Sequence, residues 1–337
     1  MNVKFSGFVL ISLMLLSCLG IVEGAEAETI TIVDGMNRSV EVPCPPERIV
    51  STTASASELI SIFGGMDNIV GRDEYSTFPP VLEEKPVVGS YSKTTNVELA
   101  LDLDPDVVIS DTSMLPETIE QIEDAGVPVV IVGMNCELDS IIYNIRVIGE
   151  MMDDQEKAEE LTGFIQGYVD LIQERTRDLD EDEKPLVYHE CREYKSNAAG
   201  TPKDEHINLA GGINIAHDES VERPIVSAEW VLENDPEIIV TRVSGTDPAT
   251  EEMLKAKRDE ILSRPGLKET SAVQNGEVYV YHPFLRRGPR LVGYLLYMGK
   301  WFHPDLFEDV DPAAVEKEML EKFYGMEMEG TWAYPEI

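Results

Sequence analysis

Basic residues are scarce in this chain. It holds 27 Lys and Arg residues against 64 Asp and Glu, which gives a formal net charge of −37. Nucleic acids and anionic membrane surfaces attract proteins mainly through positive charge. The composition therefore argues against both as partners and predicts a strongly solvated acidic surface.

The motifs of common enzyme classes are also missing. The sequence contains no G-x-S-x-G elbow, phosphate loop, dinucleotide glycine fingerprint or H-E-x-x-H. Gly64-Gly65 and Gly211-Gly212 follow helical patterns and are interpreted as helix stops rather than phosphate cradles. Only five histidines occur, without a His-rich loop, which argues against a receptor for free Zn²⁺ or Mn²⁺. We expect no catalytic residues, no intrinsic cofactor and no protein-bound metal.

Cysteine is rare too, with four residues in the whole chain. Cys44, Cys136 and Cys191 follow the N-terminal segment at spacings that match neither a zinc framework nor a disulfide pattern. Three cysteines leave at least one free, and buried, unreactive thiols are the expectation.

The N-terminus has the pattern of an export signal. Phe8–Leu16 is apolar but too short to span a membrane, and Ala25–Ala27 offers a cleavage site that would make residues 1–27 a signal peptide. Leu15–Cys18 instead resembles a lipoprotein processing box, in which Cys18 becomes the lipidated first residue. An uncleaved N-terminal anchor is the third alternative. All three predict an extracytoplasmic protein that is secreted or held at the membrane only through its N-terminus.

A long amphipathic helix is predicted from Asp153 to about Leu179. Its apolar residues recur every three or four positions, at Ala158, Leu161, Ile165, Tyr168, Ile172 and Leu179. Asp153 and Glu156 have the spacing of a capping box. About 25 helical residues span roughly 37 Å, more than an ordinary connection inside one domain requires. We interpret the helix as a rigid strut between two α/β units; one helix of a single larger α/β domain is the alternative.

Strand-like and helix-like segments alternate on both sides of this strut, which predicts mostly parallel sheets covered on both faces. The expected fold class is α/β, with two Rossmann-like lobes joined by one long rigid α-helix and a ligand cleft between the lobes. We place an N-terminal lobe at 28–138, a helical linker at 139–184 and a C-terminal lobe at 185–337.

An internal repeat supports two similar lobes. Residues 96–109 and 227–240 each contain a glutamate in the first helical turn, a proline seven residues later, an acidic residue and then an apolar strand. Such a repeat is typical of a two-lobed clamp, but it does not identify the ligand.

Five segments in order resemble the class III substrate-binding proteins of ABC importers, which carry iron–siderophore, haem and vitamin B12-type ligands. The segments lie at residues 46–50, 97–109, 209–216, 227–236 and 272–280, and the resemblance covers about residues 29–325. It implies a monomeric solute-binding protein that captures a ferric siderophore, haem or corrinoid and delivers it to an ABC importer permease dimer with its ATPase. The alternatives are a receptor for another small ligand or a free metal ion, and a secreted α/β enzyme.

The resemblance also implies a docking role for two glutamates. Family members contact the permease through one glutamate on each lobe, and these align with Glu98 and Glu229. An exposed carboxylate on each lobe can pair with arginines on a two-fold transporter. The alternative is that both merely complement the positive end of a helix.

Candidate ligand-binding residues follow the predicted strands, because open α/β sheets bind ligands at the carboxyl ends of their strands. They are Tyr75 and Tyr91, with Thr52 and Thr53 nearby, on the first lobe, and His189, Arg192, Tyr194, Arg242, His282, Arg286 and Arg287 on the second. The arginines, above all Arg286-Arg287, suit an anionic iron or cobalt chelate. The alternative for each arginine is an ion pair with a nearby surface carboxylate. His189 and His282 are candidate axial ligands of iron or cobalt, or ordinary hydrogen-bonding residues.

Overall fold

The computed structural model describes residues 28–133, 136–245, 250–327 and 330–336. The predicted signal peptide at 1–27 and the lipidation site Cys18 lie outside the described residues. Within the described ranges, no helix combines the length and apolarity needed to cross a membrane.

The chain enters through an antiparallel hairpin. Strand β1 (Thr29–Val33) pairs along its whole length with β2 (Ser39–Pro43). The sequence predicts β1 with these bounds but not β2. Both strands alternate between exposed and buried residues, as expected of a hairpin with one face on the core.

The first lobe is built on a five-stranded parallel sheet. Its strands are β3 (Ile49–Ser51), β4 (Ile69–Asp73), β5 (Val87–Gly89), β6 (Val107–Asp111) and β7 (Val129–Val132), in the spatial order β5-β4-β3-β6-β7. The helices between them are α1 (Ala54–Ile62), α2 (Val97–Leu101) and α3 (Pro116–Asp124). Strands β3 and β7 are buried at every residue, because helices cover both faces of a parallel sheet.

Two consecutive helices lead out of the first lobe. They are α4 (Leu138–Met151) and the 22-residue α5 (Gln155–Thr176). The N-cap of α5 is Asp154, whose carboxylate accepts from the backbone N–H of Lys157 at 3.2 Å, so the predicted cap at Asp153 is wrong by one residue. Asp153 adopts φ 55° in the turn between the helices.

Helix α5 packs on both sides rather than standing free between the lobes. It contacts α4 and, further along the chain, the helix at Leu291–Phe302. Its buried residues Leu161, Ile165 and Ile172 belong to one apolar core that also contains Ile49 of the first sheet and Val187 of the second. The two lobes therefore share a core at the base, and the rigidity expected of the linker comes from this packing.

The second lobe repeats the scheme. Its strands are β8 (Leu186–Glu190), β9 (Ile213–Asn214), β10 (Ile238–Arg242), β11 (Val278–Tyr281) and β12 (Ala333–Tyr334), in the order β12-β11-β10-β8-β9. Its helices are α6 (Pro202–Leu209), α7 (Ala228–Glu233), α8 (Glu251–Ser263), α9 (Ser271–Asn275), α10 (Leu291–Phe302) and α11 (Pro312–Met319). All strands are parallel except β12. The prediction of an irregular tail after Gly330 is wrong there, because Ala333 and Tyr334 pair with the edge of β11.

The repeated segments adopt the same local structure. Asn96 caps α2 by accepting from the N–H of Leu99, and Ser227 caps α7 by accepting from that of Trp230, both at 3.1 Å. Each short helix ends before an aspartate with a left-handed backbone, Asp104 at φ 48° and Asp235 at φ 37°. A proline and a buried strand follow in both lobes, β6 and β10.

The three described cysteines are free and partly buried. The expectation of fully buried thiols is therefore too strong.

Candidate functional site

A pocket lies where the two lobes meet. Its lining comes from the first lobe (Ala54, Glu58, Tyr75, Thr77 and Phe78) and from the second (Gly245, His282, Pro283, Phe284, Arg287 and Arg290). Most of these residues follow the carboxyl ends of β3, β4, β10 and β11, the edge at which open α/β sheets bind ligands. The free volume is about 20 Å³, enough for roughly one water molecule. In this conformation the lobes are closed on each other.

A buried ion pair joins the lobes beside this pocket. Arg290 Nε donates to Glu58 Oε1 at 3.0 Å, and Nη2 donates to Oε2 at 2.8 Å. Glu58 lies on α1 of the first lobe, whereas Arg290 immediately precedes α10 of the second. Both residues are at most 2% exposed. The Tyr324 hydroxyl donates to Glu58 as well, so the carboxylate receives three hydrogen bonds from the second lobe.

Aromatic rings enclose the Arg290 guanidinium. Its carbon lies 3.3 Å from the ring centre of Phe284 and 4.7 Å from that of Phe78. The two rings meet edge to face, with their centres 4.6 Å apart. Phe78 belongs to the first lobe and Phe284 to the second, so cation–π and aromatic contacts also cross the junction.

Asp73, at the end of β4, organises the first-lobe loop that reaches the pocket. Its carboxylate accepts from the Tyr75 backbone N–H at 3.0 Å and from the Ser76 hydroxyl. Burial raises the pKa of Asp73 above its ordinary value, although these hydrogen bonds oppose the shift. The loop presents Tyr75 at the pocket with half of its surface exposed.

Glu316 on α11 is a second buried carboxylate behind the junction. Neither carboxylate oxygen has a hydrogen-bond partner among the described residues. Burial raises its pKa to about 8, with the nearby Arg290 lowering it and Glu58 raising it further. At neutral pH the side chain is therefore mostly protonated.

Glu316→Gln is expected to flatten the pH dependence of stability. Between about pH 4.5 and pH 8 the folded carboxyl keeps a proton that the unfolded chain releases, so wild-type stability falls as pH rises. The slope is at most about 1.4 kcal/mol per pH unit, and a neutral glutamine removes it. Urea titrations from pH 5 to 9 measure this, with Glu318→Gln, an exposed glutamate on the same helix, as the matched control. Parallel pH profiles for Glu316→Gln and the wild type would contradict the assignment.

Three further arginines lie on the second lobe, and of these Arg287 lines the pocket. Arg242 ends β10 and donates from Nε to the Cys191 carbonyl at 3.1 Å, and Arg286 and Arg287 follow β11. Among the described residues, none of the three forms an ion pair. Burial lowers the pKa of Arg287, and the positive charges of Arg290, Arg286 and Arg242 lower it further, against the influence of Glu58. Positive charge is concentrated here in a strongly acidic chain.

The two histidines proposed as metal ligands lie in different surroundings. His189, the last residue of the strand predicted at Leu186–His189, is fully buried in β8, which runs one residue further to Glu190. Its Nε2 lies 3.2 Å from the Tyr281 hydroxyl, and burial keeps its pKa well below the ordinary value. His282 lines the pocket and accepts from the Phe284 backbone N–H at 3.3 Å.

The remaining candidates lie away from the pocket lining. Tyr91 is exposed beside β5, and Arg192 is exposed in a tight turn. Tyr194 packs inside the second lobe, with the Arg264 guanidinium 5.1 Å from its ring centre. Thr52 is buried and donates to the Ser110 hydroxyl at 2.8 Å, and Thr53 precedes α1 without a side-chain cap. The structure thus gathers Tyr75, His282 and Arg287 at the pocket itself.

Sequence reasoning missed Glu58, Phe78, Phe284 and Arg290. A signal for Glu58 was present, since it is the acidic residue in the otherwise small and apolar Ala54–Ile62. A charge on a buried helix requires a partner, but that partner is 232 residues away.

The two glutamates considered for docking occupy equivalent places. Glu98 and Glu229 are exposed residues in the first turns of α2 and α7. A helix that precedes a parallel strand begins at the carboxyl edge of the sheet, so each glutamate lies near the side of its lobe that carries the cleft. Hydrogen bonds from its own backbone N–H and from Ser227 lower the pKa of Glu229.

Comparison with known proteins identifies relatives over most of the chain. The periplasmic binding protein family matches residues 49–284. The ABC transporter substrate-binding lipoprotein YvrC of Bacillus subtilis is 28% identical over 292 residues, which cover 84% of this chain and 88% of YvrC. The cobalamin-binding protein of Halobacterium salinarum is 26% identical over 278 residues, covering 81% and 74% of the two chains.

A solved structure shares the arrangement of the lobes. The TroA-like periplasmic binding protein FepB from Veillonella parvula superposes with a TM-score of 0.78 at 27% identity, covering 90% of this chain and 99% of its own. The prediction of a two-lobed α/β binding protein rather than an enzyme is confirmed.

Proposed function

The chain belongs to the periplasmic binding protein family, and we propose that it captures an anionic metal chelate outside the cytoplasm for delivery to an ABC importer. The observation that carries this proposal is a group of second-lobe arginines, of which Arg287 lines the pocket at the lobe junction. Arg242, Arg286 and Arg287 have no ion-pair partner among the described residues, in a chain of net charge −37. Unpaired guanidinium groups in a cleft suit carboxylates and other oxyanions.

The cargo class follows from the chemistry of the cleft. Tyr75, which is half exposed at the pocket, offers a ring for the flat surface of a chelate, and Arg287 offers donors for its anionic groups. One relative is named for cobalamin binding, and a periplasmic haem-binding protein from Roseiflexus shares the fold. We infer an iron or cobalt chelate: a ferric siderophore, haem or a corrinoid. The free volume of about 20 Å³ requires the lobes to separate before such a cargo enters.

A receptor for a free metal ion is the alternative. Over the described residues, no group of three or more His, Cys, Asp or Glu side chains is placed to hold a metal. The arginine cluster favours the chelate.

The proposed partner is a permease dimer with its ATPase, contacted through Glu98 on one lobe and Glu229 on the other. We propose that the protein acts as a monomer and that residues 1–27, or lipidation at Cys18, determine how it is released or anchored. The two-lobed body then lies at residues 28–138 and 185–337, with 139–184 between them.

Binding measurements test the proposal directly. We expect haemin, a ferric siderophore or cyanocobalamin to raise the melting temperature of the purified protein. The visible absorption spectrum of the bound chelate is expected to change as well. Arg287→Gln, which alters the pocket lining, is expected to weaken binding about tenfold or more, as loss of a charged hydrogen-bond donor does. Arg223→Gln, an exposed arginine outside the pocket lining, is the matched control. If none of these chelates binds the wild type, the proposal fails.

A further inference from the structure

The pocket at the lobe junction contains an excess of positive charge that one carboxylate only partly neutralises. Among the described residues that line it, Glu58 is the carboxylate, whereas Arg287 and Arg290 are both cationic. Arg286 directly precedes Arg287, and Arg242 lies beside Tyr281 in the neighbouring strand, so both add positive charge on the second-lobe side of the pocket. A buried charge without compensation is unfavourable, so this cluster is suited to accept a further anion.

Arg290 has hydrogen-bonding capacity to spare. Its Nε and Nη2 are used by Glu58, but the buried Nη1 has no hydrogen-bond partner among the described residues. A guanidinium has five N–H donors, and an unsatisfied buried donor costs free energy. Arg290 lines the pocket and is 1% exposed, so a ligand oxygen at the pocket can approach a donor that is shielded from bulk water.

The position of Glu58 resembles that of a bound carboxylate. It comes from the opposite lobe, is held by two parallel N–H···O bonds from one guanidinium, and receives a third from Tyr324. Bidentate arginine–carboxylate pairing is the usual way in which proteins hold a carboxylate ligand. Since the pocket has room for about one water molecule, a carboxylate from outside competes with Glu58 for the same guanidinium.

We propose that Arg290 and Arg287 form a subsite for a carboxylate of the cargo, and that Glu58 occupies this subsite as an internal counter-ion when no cargo is bound. Cargo entry then exchanges one carboxylate for another on Arg290, and it breaks the ion pair that holds the lobes together. The identity of the cargo is taken from the proposed function. The exchange of carboxylates on Arg290 is inferred from the geometry of the pocket alone.

Acetate rescue of Glu58→Ala tests the exchange without any cargo. The substitution deletes a CH₂–COO⁻ group, which acetate matches in size and charge. We expect Glu58→Ala to melt well below the wild type, and acetate to raise its melting temperature by about 3 °C or more above sodium chloride of equal ionic strength. Acetamide, the neutral counterpart of acetate, is expected to have no such effect.

Glu190→Ala is the matched control for this rescue. Glu190 is also fully buried and pairs with Arg264 at 2.7 Å, but both residues lie within the second lobe and away from the pocket. We expect no acetate rescue there. Equal rescue of both variants, or none for Glu58→Ala, would overturn the proposed subsite.

A second measurement uses Glu58→Gln, which keeps the size of the side chain and remains informative if Glu58→Ala does not fold. Haemin carries two carboxylates, and its dimethyl ester carries none. The exchange predicts that Glu58→Gln binds haemin about tenfold more tightly than the wild type does, because the internal competitor is lost, with the ester unaffected. Equal changes for haemin and ester would contradict the exchange. If the wild-type protein binds no chelate, the proposed function is contradicted. The acetate rescue would still show whether the carboxylate subsite exists.

Discussion

Arg290→Met is expected to lower the free energy of unfolding by about 3–5 kcal/mol, because it leaves Glu58 buried at the lobe junction without its partner. Both side chains are at most 2% exposed, so water cannot compensate the carboxylate unless the lobes separate. For a chain of 337 residues, the loss corresponds to a fall in melting temperature of about 4–7 °C. Urea unfolding and calorimetry measure the change.

Two further variants test whether the loss of stability comes from the unpaired buried charge. The double change Glu58→Met, Arg290→Met removes both charges and is expected to recover most of the lost stability, since a buried ion pair is often replaceable by apolar residues of similar volume. Arg146→Met disrupts an exposed pair, in which Arg146 is 55% and Glu159 64% exposed, and is expected to cost less than about 1 kcal/mol. A loss of less than about 1 kcal/mol for Arg290→Met would show that the pair is not sealed from solvent.

The same ion pair bridges the two lobes at the pocket. A pocket with room for about one water molecule cannot hold a porphyrin or a corrin, so the cargo competes with Glu58, Phe78 and their contacts across the junction. The shared core along α5 limits how far the lobes can move at their base. Opening is therefore expected at the mouth, where Tyr75 is half exposed.

Local patterns predicted the sheets well. The sequence predicts strands at Val87–Gly89, Val129–Val132 and Val278–Tyr281, and β5, β7 and β11 have these bounds. Runs such as Val129–Val132 are continuously apolar and flanked by turn residues, which is typical of a buried strand. The repeated caps at Asn96 and Ser227 were equally local signals. Where the relevant interaction lies within about ten residues, the sequence is informative.

Non-local pairings were the main source of error. Strands β2 and β12 are edge elements whose identity depends on a partner strand, β12 on one more than fifty residues earlier in the chain. Strand β8 continues one residue beyond the predicted Leu186–His189, because Glu190 pairs with β10. The Glu58–Arg290 pair, separated by 232 residues, has no local signature at all, so the centre of the candidate site was not predicted.

The double change Glu98→Ala, Glu229→Ala is expected to abolish cargo uptake by cells while leaving cargo affinity unchanged. Each glutamate is exposed on one lobe at the edge that carries the cleft, and loss of an interfacial charge pair costs at least about tenfold in affinity on each side. Uptake of labelled cargo in cells that rely on this protein measures the effect, with cargo binding to the purified variant measured in parallel.

A matched double variant separates docking from a helix-end effect. Glu117→Ala, Glu251→Ala removes one exposed first-turn glutamate from each lobe, at α3 and α8, and thus the same favourable interaction with a helix N-terminus. If Glu98 and Glu229 act only on their own helices, both double variants will transport equally well. If the two glutamates contact the permease, uptake fails only in Glu98→Ala, Glu229→Ala, although neither variant loses its fold or its cargo affinity. An excess of the purified double variant Glu117→Ala, Glu251→Ala should then compete with the wild type for the transporter. An excess of the double variant Glu98→Ala, Glu229→Ala should not.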